Sequence, residues 1–326
     1  MKKFVAMLLG LTMMAGLTAC SGDDAGNNPD QGNSNDAAQY TVGLLQLVEH
    51  PSLDEIRTAI EDQVAARGYG DVIAFDYQNG QNDPSTMNTI TQKFVANDND
   101  AIIAIATVAA QSAAAATSEK PIIFSAVTDP VAAELVADPA APEGNISGVS
   151  DVIDVSAIFG LAEELTPEVS SYGFIYNMGE VNSVSVINDA KEYLDANNIS
   201  YQEAFVTNIG EVTTAAQSLV GKVDAFFLPI DNTVASAMSN VAEIANSNQI
   251  PVYVAADSMV NDGGLATVGV NYTQLGKQTA DMLIRVLIDG EAIAENPVES
   301  MTEYSVTVNP ETAAAIGVDV SKYIAE

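Results

Sequence analysis

The chain of 326 residues has no tryptophan, one cysteine and one histidine, and only 11 of its residues are lysine or arginine. Each shortage excludes something. A lone cysteine permits no intramolecular disulfide, even outside the cell, so the fold must rest on apolar burial. With 48% hydrophobic residues that burial is ample. The basic residues face 44 acidic ones, for a net charge of −33, and a nucleic-acid partner, which needs a basic face, is excluded. The acids are scattered along the chain, which fits salt-screened solubility better than a concentrated cation-binding surface. A single His50 and no G-x-S-x-G give a serine or cysteine nucleophile triad little support. Gly263-Gly264 is an isolated turn rather than a phosphate-binding G-x-G-x-x-G, and the loop acids Asp98 and Asp100 lack EF-hand spacing. No metal, cofactor or enzymatic activity is expected. A missing tryptophan also weakens a sugar site built on aromatic stacking.

Nor does the chain open with a run long enough to span a membrane. Lys2 and Lys3 precede an apolar stretch from Phe4 to Leu17, shorter than the ~20 residues a crossing requires. A positive start, an apolar core and small residues before Cys20 describe a secretory signal over residues 1–19. Leu17-Thr18-Ala19-Cys20 resembles a bacterial lipobox, in which the cysteine becomes the lipid-modified first residue of the mature chain. Residues 20–39 contain almost nothing large and apolar and read as a flexible tether.

From Tyr40 onward short apolar runs alternate with helical segments. Strands are expected at 40–47, 72–77, 101–106 and 121–126, with helices at 53–67, 84–96 and 108–117 between them. Continuous runs such as AIIAIA and PIIFSA suit parallel strands buried on both faces. A second series places strands at 172–176, 200–206, 225–229 and 251–255, with helices at 181–196, 212–220 and 232–245. The two blocks join near Gly148–Asp151, and the fold class is α/β, two doubly wound parallel sheets side by side. The tail breaks the alternation with a strand at 266–270, a long helix at 272–288 and an extended piece at 303–308. That helix can return to pack on the first block.

Ligands of open α/β sheets bind outside the carboxyl ends of the strands. Those ends are polar here: Gln46, Glu49 and His50, then Thr107, then Ser125, Thr128 and Asp129. In the second block they are Asn177, Glu180, Asn182 and Ser183, then Asp231 and Asn232, then Asp257. Taken singly, each of these is more readily a helix N-cap than a ligand contact; the functional reading is collective, because two such edges facing each other make a cleft. Helix N-termini after Thr107 and after Asp129 suit a ligand carboxylate, with the Thr107 and Ser125 hydroxyls beside it. Glu180, Asp231 and Asp257 suit an ammonium, and the asparagines offer donors and acceptors. Arg57, Arg67 and Arg285 all lie away from strand ends, so a zwitterion fits better than a dianion that wants a guanidinium fork. His50, ahead of Pro51, is a cleft contact or a bystander rather than a catalytic base.

The segments LLQLVEHPSLD (44–54), FSAVTDPVAAELV (124–136), NISGVSD (145–151), IYNMGEVNS (175–183) and PVYVAAD (251–257) together resemble the substrate-binding lipoproteins of ABC transporters. The similarity is to those of type I periplasmic-binding fold, in the tryptophan/tyrosine-type subgroup. VGVNYTQLGKQTADM (268–282) matches the helix such proteins return to the first lobe. The resemblance implies two Rossmann-like lobes on a hinge, 40–149 plus 271–300 and 150–270 plus 301–326, closing over one small molecule. It implies an amino acid, often aromatic, as ligand and a membrane permease as partner. The implied ligand contacts are the twelve strand-end residues Gln46, Thr107, Ser125, Thr128, Asp129, Asn177, Glu180, Asn182, Ser183, Asp231, Asn232 and Asp257. The same fold also serves sensors coupled to membrane kinases and binders of nucleosides or sugars.

The lipobox carries its own test. A Cys20→Ala variant is expected in the soluble rather than the membrane fraction after cell fractionation, with ligand binding intact; membrane retention of that variant would refute the lipid anchor.

Overall fold

A computed structural model describes residues 39–302 and 304–324. The signal segment, Cys20 and the tether through residue 38 lie outside them. The chain begins β1 (Tyr40–Gln46), α1 (Pro51–Ala66), β2 (Ile73–Asn79), α2 (Pro84–Ala96), β3 (Ala101–Ile105), α3 (Thr107–Ala116), β4 (Ile122–Ser125), β5 (Ile146–Ser150). It continues α4 (Val155–Leu165), β6 (Ser171–Asn177), α5 (Val181–Ala196), β7 (Ser200–Val206), α6 (Ile209–Leu219), β8 (Ala225–Leu228). Then follow α7 (Asn232–Ala235), α8 (Met238–Ser247), β9 (Val252–Val254), α9 (Asp257–Asn261), β10 (Ala266–Val270). Last come α10 (Tyr272–Leu287), β11 (Glu299–Ser300), β12 (Tyr304–Val308) and α11 (Pro310–Ile316).

These strands form two six-stranded sheets, β11-β5-β4-β3-β1-β2 and β12-β10-β9-β8-β6-β7. All pairings are parallel except that of β10 with β12. Every residue of β3, β4 and β8 is buried, as expected for central strands covered by helices on both faces. The second sheet carries an aromatic cluster on one face, in which the Phe159 ring lies 5.0 Å from both Tyr172 and Phe227 and 5.1 Å from Tyr193.

The chain passes between the sheets three times, after β5, after β10 and after β11. The passages run side by side. Ser150 pairs with Ser300, Val270 pairs with Tyr304, and the Tyr304 hydroxyl donates to Val152 O at 3.2 Å.

Helix α10 follows the second block and packs on α1 of the first. Arg67 donates through Nε and Nη2 to both Asp281 carboxylate oxygens, at 2.9 and 2.7 Å. Gln63 Nε2 adds a bond to Asp281 Oδ1 at 2.9 Å. At the crossing, a Cβ on Gly276 would lie 2.6 Å from Ile56 O and 2.7 Å from Ala59 Cβ, so only glycine allows this approach.

The structure departs from the expectation at several places. β5, α4, α9, β11 and α11 were not anticipated. Strand β5 reads ISGVS, without an apolar run, and is a strand because it fills the position between β4 and β11. Helix α4 is capped by Asp154, whose Oδ1 accepts from Ser156 N at 3.0 Å and Ala157 N at 3.2 Å. The single helix expected at 232–245 is two, because Ala237 leaves helical geometry at φ −121° and ψ 15°, while the Ser236 hydroxyl donates back to Asn232 O at 2.7 Å. No helix follows Asp129: residues 131–134 are turn, closed by Glu134 at φ +58°. The Asp129 carboxylate accepts from Ala132 N at 2.9 Å, so the second of the two helix N-termini expected for an anion does not exist.

Gly276→Ala should force α10 away from α1, and such overpacking costs about 1–3 kcal/mol. Urea unfolding of wild type and variant measures it; an unchanged midpoint would mean that the two helices yield without cost.

Candidate functional site

The carboxyl ends of both sheets face one enclosed cavity. Its wall includes His50, Ser52, Leu53, Ala106, Thr107, Ala126, Thr128 and Tyr272 from the first sheet's side. Asp151, from the first passage, and Asn182, Ile230, Asp231, Asn232, Ala235, Ala256 and Met259 complete it. The lobes are tightly shut: only about 20 Å³ is wide enough for water, near the minimum for one molecule by that measure. Hydrogen bonds cross the cleft directly. His50 Nε2 lies 3.1 Å from Asn232 Oδ1, Ser185 Oγ donates to Asp129 Oδ2 at 2.7 Å, and the Ser52 and Ser258 hydroxyls pair.

On one wall, strands run into helices almost without a loop. β3 ends at Ile105 and α3 starts at Thr107, so Ala106 alone makes the turn, at φ +80°. Ala126, after β4, sits at φ +57°. Left-handed backbone at a non-glycine residue costs of order 1–3 kcal/mol and persists where its surroundings enforce it. Here the next strand does so: Ala106 N donates to Ser125 O at 2.9 Å, and Ala126 N to Val149 O at 3.0 Å. The turn directs the N-terminus of α3 at the cavity with no side-chain cap, leaving N–H groups of its first turn without helical partners. The buried Thr107 hydroxyl beside them has no partner either.

Asp151 is fully buried. It accepts from Thr128 Oγ1 at 2.9 Å and more weakly from the Tyr272 hydroxyl at 3.5 Å. Burial pushes its carboxyl up to about 6, against the hydrogen bond from Thr128. Burial, with the nearby Glu180 charge, also raises Asp231. Among the described residues, no lysine or arginine lines the cavity. Two desolvated carboxylates without a cation are suited to a ligand that brings one.

Of the twelve strand-end residues, Thr107, Thr128, Asn182, Asp231 and Asn232 line the cavity. The other seven stand beside it. Glu180 is buried and serves α7: its oxygens accept from Asn232 N at 2.9 Å, Asn232 Nδ2 at 2.7 Å, Thr233 N at 3.0 Å and Thr233 Oγ1 at 2.8 Å. Asp231 caps the same helix through Val234 N at 2.8 Å and accepts from Asn177 N at 2.6 Å. The Asn177 side chain donates to Thr233 Oγ1 at 3.0 Å. Ser183 donates to Ile230 O at 3.2 Å, Ser125 pairs with Thr279 on α10 at 2.8 Å, and Gln46 holds Asp54 at 2.8 Å. Asp257 accepts from Ser258 N at 2.8 Å, and Asp129 spans the cleft to Ser185 as described. Sequence reasoning missed Asp151 and Tyr272. Both follow strand ends, so recognising β5 would have brought Asp151 under the same rule.

Two mostly parallel α/β lobes joined by three passages, with an enclosed cavity of apolar wall and a few convergent polar groups between them, define a small-molecule binding protein. Residues 41–326 match the family model for ABC transporter substrate-binding proteins, and the chain belongs to that family. It is 39% identical over 290 residues to a tyrosine-binding protein of Clostridioides difficile, covering 88% of this chain and 83% of that one. A Streptococcus pneumoniae ABC domain in complex with L-Trp superposes with a TM-score of 0.84 at 36% identity, over 87% of this chain and 96% of its own. A ligand-free, open substrate-binding protein with adhesive properties from Clostridium difficile gives 0.68 at 38% identity, over 88% and 98%.

The buried carboxyl yields a stability prediction. Asp151 binds its proton more tightly folded than unfolded, so its contribution to stability is greatest below pH about 4. That contribution declines as pH rises to about 6 and is level above. A shift of two units corresponds to about 3 kcal/mol. Relative to wild type, Asp151→Asn should therefore gain roughly that much stability between pH 4 and pH 7 in urea unfolding. A constant difference across the range would show that the carboxyl is not desolvated.

Proposed function

We propose that this protein is the extracytoplasmic binding component of an ABC importer, without catalytic activity, and that it captures an amino acid with an aromatic side chain between its lobes. The observation that carries the reading is the pairing, within one cavity, of an uncapped helix N-terminus and a buried carboxylate without a cation. The first suits a carboxylate and the second an ammonium, the two charges of a free amino acid. In this reading the first-turn N–H groups of α3 and the Thr107 hydroxyl hold the ligand carboxylate. Asp151, oriented by Thr128 and Tyr272, holds the ammonium. Leu53, Ile230, Ala235, Ala256 and Met259 take the side chain, and Asn182, Asp231 and Asn232 complete the polar wall.

The tyrosine-binding relative and the relative in complex with L-Trp support an aromatic ligand. Closure is supported by the lower similarity to the open relative than to the tryptophan complex at nearly equal identity. The lobes divide at the three passages, 40–149 plus 271–300 against 150–270 plus 301–326, and those passages are the hinge. Lipid on Cys20 and the tether that follows keep the receptor beside its permease.

Thermal shift against the twenty amino acids tests the assignment. One or a few should stabilise the protein, by about 2.7 kcal/mol at a hundredfold excess over Kd; stabilisation by sugars or nucleosides alone would refute it. Pairing with an ammonium also requires Asp151 ionised, so affinity should fall about tenfold per pH unit below about 6. Asp151→Asn should weaken binding strongly and remove that pH dependence in calorimetric titrations.

A further inference from the structure

His50 is buried, lines the cavity and makes one hydrogen bond, from Nε2 across the cleft to Asn232 Oδ1 at 3.1 Å. Its Nδ1 is buried with no partner. The protonation of this ring follows from its neighbours. Asn232 Nδ2 donates to Glu180 Oε2 at 2.7 Å, and Asn232 N donates to the same oxygen at 2.9 Å. The carboxylate can only accept, so the amide is fixed with its oxygen toward His50. That oxygen also only accepts, and Nε2 must therefore carry the proton. Burial lowers the ring's pKa and keeps it neutral, so Nδ1 presents a lone pair.

The carboxylates acting on His50 are those of Asp54, Glu180 and Asp262. In the sheet, β1, which leads to His50, is separated from β5, which leads to Asp151, by β3 and β4, so His50 stands apart from the ammonium site and toward the ligand's other end. The same cavity wall carries apolar side chains, Leu53 on the helix that His50 precedes and Met259 from the other lobe. Resting on the amino-acid reading above, we propose that His50 Nδ1 is the specificity-determining acceptor, selecting ligands with an O–H or N–H on an otherwise apolar ring, such as tyrosine or tryptophan, over phenylalanine. The Glu180–Asn232 pair belongs to the opposite lobe, so the acceptor is fixed in this form only on closure. A site built to hydrogen-bond a ligand group rejects an analogue lacking it far more strongly than an apolar pocket rejects a missing methylene.

Calorimetric titration of the wild-type protein with tyrosine, tryptophan and phenylalanine is the first test. Phenylalanine should bind at least about a hundredfold more weakly than the better of the other two. His50→Leu should then bring the ratio down to within a few-fold. Ser52→Ala, which removes a different cross-cleft hydrogen bond, should weaken all three ligands alike and leave the ratio intact. Phenylalanine binding as tightly as the others in wild type overturns the inference without need of a variant. So does a ratio that survives His50→Leu, or one that Ser52→Ala erases equally, because either makes His50 a latch only. If none of the amino acids binds, the amino-acid reading itself falls and takes this inference with it.

Discussion

The Glu180 carboxylate organises the closed cleft. It is buried with four donors on its two oxygens, two from backbone and two from side chains, all contributed by Asn232 and Thr233. A buried carboxylate is tolerated only when so satisfied. By fixing the first turn of α7 it fixes the Asn232 amide, and through that amide the His50 ring of the other lobe. Through Thr233 it also orders Asn177, whose N–H anchors Asp231. A residue that does not itself line the cavity thus sets the orientation of several that do.

The architecture was largely legible because its central strands are buried on both faces, and burial of that kind writes continuous apolar runs such as AIIAI and IIFS. What escaped lacked that signature. β5 carries glycine and two serines, and Gly148 accepts the Phe124 backbone so closely that a Cβ would stand 2.1 Å from Phe124 O. Its strand character comes from its neighbours, a tertiary cause that no local pattern records. Missing β5 also hid Asp151, the cavity carboxylate without a cation.

The strand-end rule correctly gathered polar residues at one edge but could not rank them. Thr107 and Asn182 keep buried oxygens without partners, whereas Glu180, Ser125 and Asn177 turn theirs to internal bonds. Composition cannot separate these cases, since aspartate, asparagine, serine and threonine cap helices and bind ligands by the same hydrogen bonds. Charge was similarly ambiguous from sequence. A net −33 spread over the chain says little about any site, while two buried carboxyls in a cavity lined, among the described residues, by no lysine or arginine say a good deal.

Asp151 lies in the first of the three passages that run side by side between the lobes, with Tyr304 bonded to its neighbour Val152 and Tyr272 bonded to Asp151 itself. A group on an axis of rotation has no lever arm. If the lobes swing about these passages, Asp151 hardly moves while His50 and Asn232 travel the full arc. In the proposed binding mode the anchoring charge is then in place before closure and governs the rate of capture, whereas the contacts far from the axis form last and govern the rate of escape.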